Sequence, residues 1–182
     1  MEITTERLLL REFLPDDWRA VLAYHQDARY SEYYPWSDRT ESDAKGFVQW
    51  FLDEQAESSR RRIQLAVILR ETGLLIGKCG IRRKSDSDWE ADIGYEIAPD
   101  YWRRSYATEA AASLVEPGFT SMGLHRISSW WIAENGASIG VLRNLGMREE
   151  GRLRENEFLK GRWWDALVFG LLMEEWVGST RR

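Results

Sequence analysis

The feature that most constrains this chain is a change of hydrophobic period near residue 62. Before it, apolar residues recur at helical spacing: Trp18, Val21, Leu22 and His25, then Phe47, Trp50, Phe51 and Leu52. After it, residues 63–69 and 74–81 are apolar runs of strand length, separated by the hairpin-turn residues Glu71, Thr72 and Gly73. A polar turn over 84–88 and a third strand over 91–98, stopped by Pro99 and Asp100, complete an antiparallel meander. The period is helical again over 107–115, strand-like over 125–133 and helical over 135–145, where Gly146 takes the C-cap position. Two strands follow, 147–159 and 163–175, about a tight turn at Gly161.

The first part of the chain supplies a strand over 7–13 and a helix opened by Pro15, Asp16 and Asp17. An aromatic loop over 30–40 leads to a second helix capped by Thr40 or Ser42. The order is therefore β-α-α-β-β-β-α-β-α-β-β. A meander followed by strand, helix and strand requires a mixed sheet with helices on both faces. The expected fold class is α/β (α+β): a mixed, mostly antiparallel seven-strand sheet flanked by about four helices. It forms one domain over 1–177, with a frayed polar tail over 178–182.

Composition excludes several functions. At 43% apolar residues the chain can bury a core, and no apolar run approaches the ~20 residues that span a bilayer. Glu2 and Glu6 stand where a signal peptide would be basic, so a cytoplasmic location is expected. One cysteine, Cys79, and two histidines, His25 and His125, leave no basis for a disulfide framework or a metal site. Cys79, mid-strand, reads as a small buried hydrophobe. The net charge of −5 argues against nucleic acid and suits a cationic partner. Ten Trp, seven Tyr and six Phe are more than a small core needs, so pocket walls and a homodimer contact are expected. Core packing is the competing account of the same residues.

Residues 94–110 concentrate the chemistry. A strand ends, a short loop follows, and a helix begins just after Arg103 and Arg104. A helix N-terminus offers unpaired N–H groups and partial positive charge, and the arginines add full charges, which together suit a phosphate. The competing reading is a pair of solvated surface arginines. On the preceding strand, Glu90, Asp92 and Glu96 share one face. Glu150, Glu155 and His125 are weaker acid–base candidates. Tyr33, Tyr34, Pro35 and Trp36 lie between the first two helices.

These segments resemble the GNAT superfamily of acetyl-CoA-dependent N-acetyltransferases. Residues 94–110 are similar to its motif A. Residues 135–151, with Asn135, Ser138 and the Leu145-Gly146-Met147 ending through Glu150 and Gly151, resemble its following helix and strand. Those features, the opening 5–11 and the closing 161–165 resemble the Rim-type branch, which includes ribosomal-protein N-terminal acetyltransferases. The sequence departs from the family at Arg103 and Ser105, where glycines are usual, and at Leu142, aligned with a position that often holds the tyrosine assisting the leaving thiolate.

The resemblance implies acetyl-CoA as co-substrate, no metal, and contacts from Ile97, Ala98, Arg103, Arg104, Ser105, Tyr106, Ala107, Thr108, Asn135 and Ser138. It implies Ser138 as the group assisting the thiolate, against an ordinary helix-start serine, and an acceptor pocket walled by Tyr33, Tyr34 and Trp36. Glu96 and Asp92 are the candidate bases. The expected activity is direct acetyl transfer to a primary amine, a protein N-terminal α-amine first. The alternatives are a small amine such as an aminoglycoside or polyamine, or a non-catalytic acyl-CoA sensor.

Overall fold

The computed structural model describes residues 1–58, 60–83, 85 and 89–180, the last three by backbone alone. Eight strands form one sheet: β1 (Glu2–Thr4), β2 (Leu8–Arg11), β3 (Arg62–Leu69), β4 (Leu74–Arg83), β5 (Glu90–Ile97), β6 (Arg126–Ile132), β7 (Arg148–Leu159) and β8 (Arg162–Leu172). Their order is β1-β2-β3-β4-β5-β6-β8-β7. Every pairing is antiparallel except β5 with β6, which is parallel. The helices are α1 (Trp18–His25), α2 (Glu41–Ala56), α3 (Tyr106–Thr120), α4 (Gly136–Asn144) and α5 (Met173–Thr180).

The expected mixed sheet is present, with three corrections. The strand expected over 7–13 is the shorter β2, and a further strand, β1, precedes it, three residues being too few to show an alternation. The strand expected to run to 175 stops at Leu172. There the Leu172 N–H donates to Glu175 Oε2 at 3.0 Å, and the chain turns into α5. So the sequence from 178 to 180, expected as tail, continues α5, while 181 and 182 lie outside the described residues. The turn expected over 84–88 lies outside them too, apart from Ser85. Thr40, not Ser42, caps α2, accepting the Asp43 N–H while Asp43 bonds back to the Thr40 N–H.

β3 and β4 read as nearly continuous apolar runs because both sheet faces are covered. On one face Leu65, Val67, Ile81, Ile93 and Phe169 pack against Ala110, Leu114 and Phe119 of α3 and Leu142 of α4. On the other, Ala66 and Ile68 meet Val21, Val48 and Phe51 of α1 and α2. Full burial of a side chain like Phe51 contributes about 2–3 kcal/mol.

Two features of this frame position the site. The parallel pairing of β5 with β6 covers only Glu90–Asp92 against Arg126–Ser128. Beyond it the strands part, and the Ile93 carbonyl accepts from the Ser129 side-chain hydroxyl at 2.9 Å. The second is the anchoring of α3. Glu109, in its first turn, accepts from Thr5 Oγ1 at 2.6 Å, the Arg7 N–H at 2.8 Å and Arg7 Nε at 2.7 Å. The β1–β2 turn thus clamps the start of α3, and an acid there also suits the helix dipole.

Replacing Glu109 with Ala leaves these donors unpaired and should cost about 2 kcal/mol, a fall in Tm of roughly 4–8 °C for a domain of this size. An unchanged thermal unfolding midpoint would show that the clamp does not hold α3.

Candidate active site

The chain leaves β5 at Ile97 and enters α3 through a loop closed by its own side chains. Trp102 Nε1 donates to the Ile97 carbonyl at 2.6 Å, and the Ala98 N–H donates to Ile76 at 2.7 Å. Arg103 (φ 59°) and Ser105 (φ 61°) then adopt the left-handed conformation, at the two positions where the family resemblance expects glycine. Each non-glycine residue there costs about 1 kcal/mol or more. Ser105 is the N-cap residue of α3, yet its hydroxyl takes no capping bond, so the side chain leaves the first-turn N–H groups of Tyr106, Ala107 and Thr108 open. Arg103 and Arg104 are exposed beside them, and Arg7 Nη1 holds the Arg104 carbonyl at 2.9 Å. The Tyr106 side chain is buried, with the Arg7 guanidinium over its ring at 4.6 Å. Open N–H groups, left-handed turns and two guanidinium groups give this turn a concentration of positive charge and free donors of the kind that suits an anion.

Where β5 and β6 part, a cleft of about 320 Å³ opens. Tyr95, Ser129 and Trp131 line it from the α3 side of the sheet, and Asp92, Glu96, Trp130 and Ile132 from the other, so it joins the two faces. The Tyr95 hydroxyl donates to the Ser138 carbonyl at 2.6 Å, tying β5 to α4. Asn135 Oδ1 caps α4 by accepting the Ser138 N–H at 3.1 Å. Leu142 is fully buried in the core.

The three carboxylates of β5 have separate fates. Glu90 pairs with Arg126 Nε at 3.2 Å, outside the cleft. Asp92 pairs with Arg82, whose Nε lies 2.8 Å away and whose guanidinium lies over Gly94, where a Cβ would meet it at 2.7 Å. Glu96 is buried among polar groups: Lys78 Nζ at 3.1 Å, Tyr34 hydroxyl at 3.4 Å, Tyr24 hydroxyl at 3.5 Å and His25 Nε2 at 3.6 Å. Burial alone would raise the Glu96 carboxyl, but the Lys78 ammonium, then His25 and Tyr30, outweigh it and hold it at about 2.

The remaining candidates separate in the same way. Tyr33 and Tyr34 line the cleft, while Trp36 stacks behind Tyr34 at 4.9 Å and beside His25 at 5.0 Å. Glu150 pairs with Arg126, and Glu155 sits at a left-handed kink of β7. The Cys79 thiol, fully buried, is pushed up to about 12 by that burial, which leaves no thiolate at neutral pH. Lys78, His25, Tyr95, Trp131 and Glu157 were not singled out from the sequence as site residues. Only Lys78 left a signal, a lone charge in the middle of a buried strand.

An acetyltransferase (GNAT) domain model matches residues 7–148. The uncharacterized N-acetyltransferase YnaD of Bacillus subtilis is 39% identical over 176 residues, 97% of this chain and 99% of that protein. A GNAT-family acetyltransferase structure from Bacillus anthracis superposes with a TM-score of 0.84 at 32% identity, covering 96% of this chain and 100% of that one. A ribosomal-protein-S5-alanine acetyltransferase structure from Vibrio fischeri shares the fold, with a TM-score of 0.82 at 18% identity over 97% of this chain and 98% of that one.

Glu96 loses its proton more readily in the folded chain than at the unfolded value of about 4.3. Its ion pair therefore stabilises the fold above about pH 4.3, and the contribution is lost as pH falls toward 2. Glu96→Gln strands the Lys78 ammonium and should cost about 3 kcal/mol in urea unfolding at pH 7. The gap to the parent chain should narrow at about pH 3. A gap that is the same at both pH values would contradict this account.

Proposed function

The chain belongs to the GNAT acetyltransferase family and is an acetyl-CoA-dependent N-acetyltransferase, and we propose that its acceptor is the α-amine of a protein N-terminus, held in the cleft between β5 and β6. The observation that carries the placement is the parting of the strands after Asp92, next to the open N-terminus of α3. In this reading the N–H groups from Arg103 to Thr108, with the two arginines, hold the diphosphate. The edge of β5 over 94–97 takes the pantetheine arm, with Asn135 and Ser138 at its end.

Acetyl-CoA supplies an acetyl group activated as a thioester. The cleft's own groups do the rest. The attacking amine must be neutral, so it sheds a proton before the C–N bond forms and the C–S bond breaks. Glu96, held at about 2, is a weak base. It attracts and orients the amine, while the proton leaves through cleft water past the part-exposed Asp92. The departing thiolate meets the Ser138 hydroxyl and the positive end of α4. The Rim-type resemblance of residues 135–151 supports a protein N-terminus.

A small amine is the second reading, and a specific observation favours it. The acceptor side is bridged where Lys160 Nζ donates to the Ser31 carbonyl at 2.7 Å and the Tyr33 hydroxyl to the Glu134 carbonyl at 3.3 Å. A protein acceptor must therefore enter as an extended tail.

Acetyl-CoA at a hundred times its Kd should stabilise the fold by about 2.7 kcal/mol in thermal shift. Thiol release should follow with peptides bearing free N-termini, the acetyl group located by mass spectrometry. Transfer confined to aminoglycosides or polyamines would establish the second reading instead. Tight CoA binding without turnover of any amine would mark an acyl-CoA sensor. Ser138→Ala should lower kcat by about ten- to a thousandfold with the KM for acetyl-CoA nearly unchanged. An unaltered kcat, with chemistry rate-limiting, would remove Ser138 from the reaction.

A further inference from the structure

On the face of the sheet that carries Glu96, β4 and β5 alternate charge with bare backbone. In register stand Lys78 opposite Glu96, Gly80 opposite Gly94 and Arg82 opposite Asp92. The outer two are ion pairs, and both have the cation on β4 and the carboxylate on β5. This stretch of the face is therefore positive toward β4 and negative toward β5, where the cleft opens. The glycine pair between them adds no side chain of its own. Gln64 of β3, 2% exposed, fills the Gly80 half, where a Cβ would collide with its Oε1. Gly94 is left to line the cleft.

The Arg82 guanidinium lies over Gly94. A Cβ there would meet Nη2 at 2.7 Å, Cζ at 3.4 Å and Nη1 at 3.6 Å, so a side chain at this position would push the group off the strand. Asp92 Oδ2 holds the guanidinium from one side, through Nε at 2.8 Å and through Nη2. Nη1 makes no hydrogen bond among the described residues, and the side chain is 28% exposed. An anchored guanidinium thus keeps two N–H donors free at the cleft floor. Glu96, which orients the reactive amine in the proposed mechanism, is two residues further along the same face, about 6.7 Å away at the backbone. An amine at Glu96 brings the carbonyl oxygen of its own residue within reach of Nη1. A plain alkylamine or polyamine has no acceptor atom to offer and leaves those donors unpaired.

We infer that Arg82 is a specificity residue that reads an oxygen beside the reactive amine, so that the cleft selects an α-amino carbonyl group. This rests on the acetyl-transfer reading for the position of the amine. The oxygen belongs either to the first peptide bond of a chain or to the carboxyl group of a free amino acid, since both offer Nη1 an acceptor at the same place. The polarity of the two ion pairs matches that of the group itself, amine toward β5 and oxygen toward β4.

Calorimetric titration of the CoA-loaded protein tests this without turnover, using L-alaninamide, L-alanine and isopropylamine at about pH 6, where all three amines are protonated. L-Alaninamide should bind about tenfold more tightly than isopropylamine, which lacks only the amide. Tighter binding of L-alaninamide than of L-alanine assigns the oxygen to a peptide, and the reverse order assigns it to a free amino acid. Arg82→Gln should bring the L-alaninamide and isopropylamine Kd values within about threefold by weakening the former. Gly94→Ala, which displaces the guanidinium but keeps it, should do the same and carries the test if Arg82→Gln does not fold. Equal Kd values in the parent chain, or a preference that survives either variant, would overturn the role of Arg82. Thiol release from acetyl-CoA with the same amines separates the two readings. A binding preference with no release from any amine overturns the transfer reading alone, while release without a binding preference overturns the role of Arg82 alone.

Discussion

The site depends on how early the parallel pairing of β5 and β6 ends. Three residue pairs hold the strands, and the sheet then parts without losing its continuity, because β4 continues to pair along β5 and β8 along β6. A sheet interior cannot leave polar backbone buried and unpaired. The parting is tolerable only if something else meets those groups. Ser129 meets the Ile93 carbonyl, and Trp102 meets the Ile97 carbonyl. What remains is a strand edge that faces a cleft instead of a neighbour, with Tyr95 reaching across to α4. An edge of this kind can accept an extended polar chain in place of a strand, as a pantetheine arm requires.

The frame was legible in the sequence wherever a period ran long enough. The meander, α2, α3 and the helix at Asn135 follow from spacing and caps. β1 was not legible because three residues carry no period. The strand-to-helix switch at Met173 was hidden because a side chain, Glu175, makes it. The site was legible at its ends and not in its middle. Arg103, Arg104 and Asn135 stand at element boundaries, where local rules apply. The Glu96 cluster joins β4, β5, α1 and the 30–36 segment, so no local pattern contains it. The even spacing of Glu90, Asp92 and Glu96 did place them on one face, yet their partners, Arg126, Arg82 and Lys78, give each a different environment.

Burying Glu96 with Lys78 is costly, since two ions leave water. Neighbouring polar groups reduce that cost: the hydroxyls of Tyr24 and Tyr34 donate to the carboxylate, while the rings of Phe47 and Phe51 lie 5.7 and 5.8 Å from the ammonium. A hydrophobic pair of similar size would serve stability as well. What the ion pair adds is a fixed carboxylate at the cleft wall, held ionised and oriented from several sides. That suits a group whose task is to orient an amine, and it suits proton abstraction poorly, because a strongly stabilised carboxylate is a reluctant base.

The same reasoning applies to the turn before α3. Arg103 and Ser105 hold a left-handed backbone that glycine would adopt freely. Such strain persists only where the surroundings over-determine it. Here the surroundings are identifiable. Arg7 grips Glu109 and the Arg104 carbonyl, and its guanidinium covers the Tyr106 ring at 4.6 Å. Thr5 adds a second donor to Glu109. The β1–β2 turn, distant in sequence, therefore supplies rigidity that glycines would otherwise have made unnecessary. The side chains gained in exchange are a guanidinium and a hydroxyl next to open helix N–H groups. A turn of glycines binds an anion through its backbone alone, whereas this one can add the charge of Arg103, so that phosphate binding in the proposed role would depend more on ionic strength.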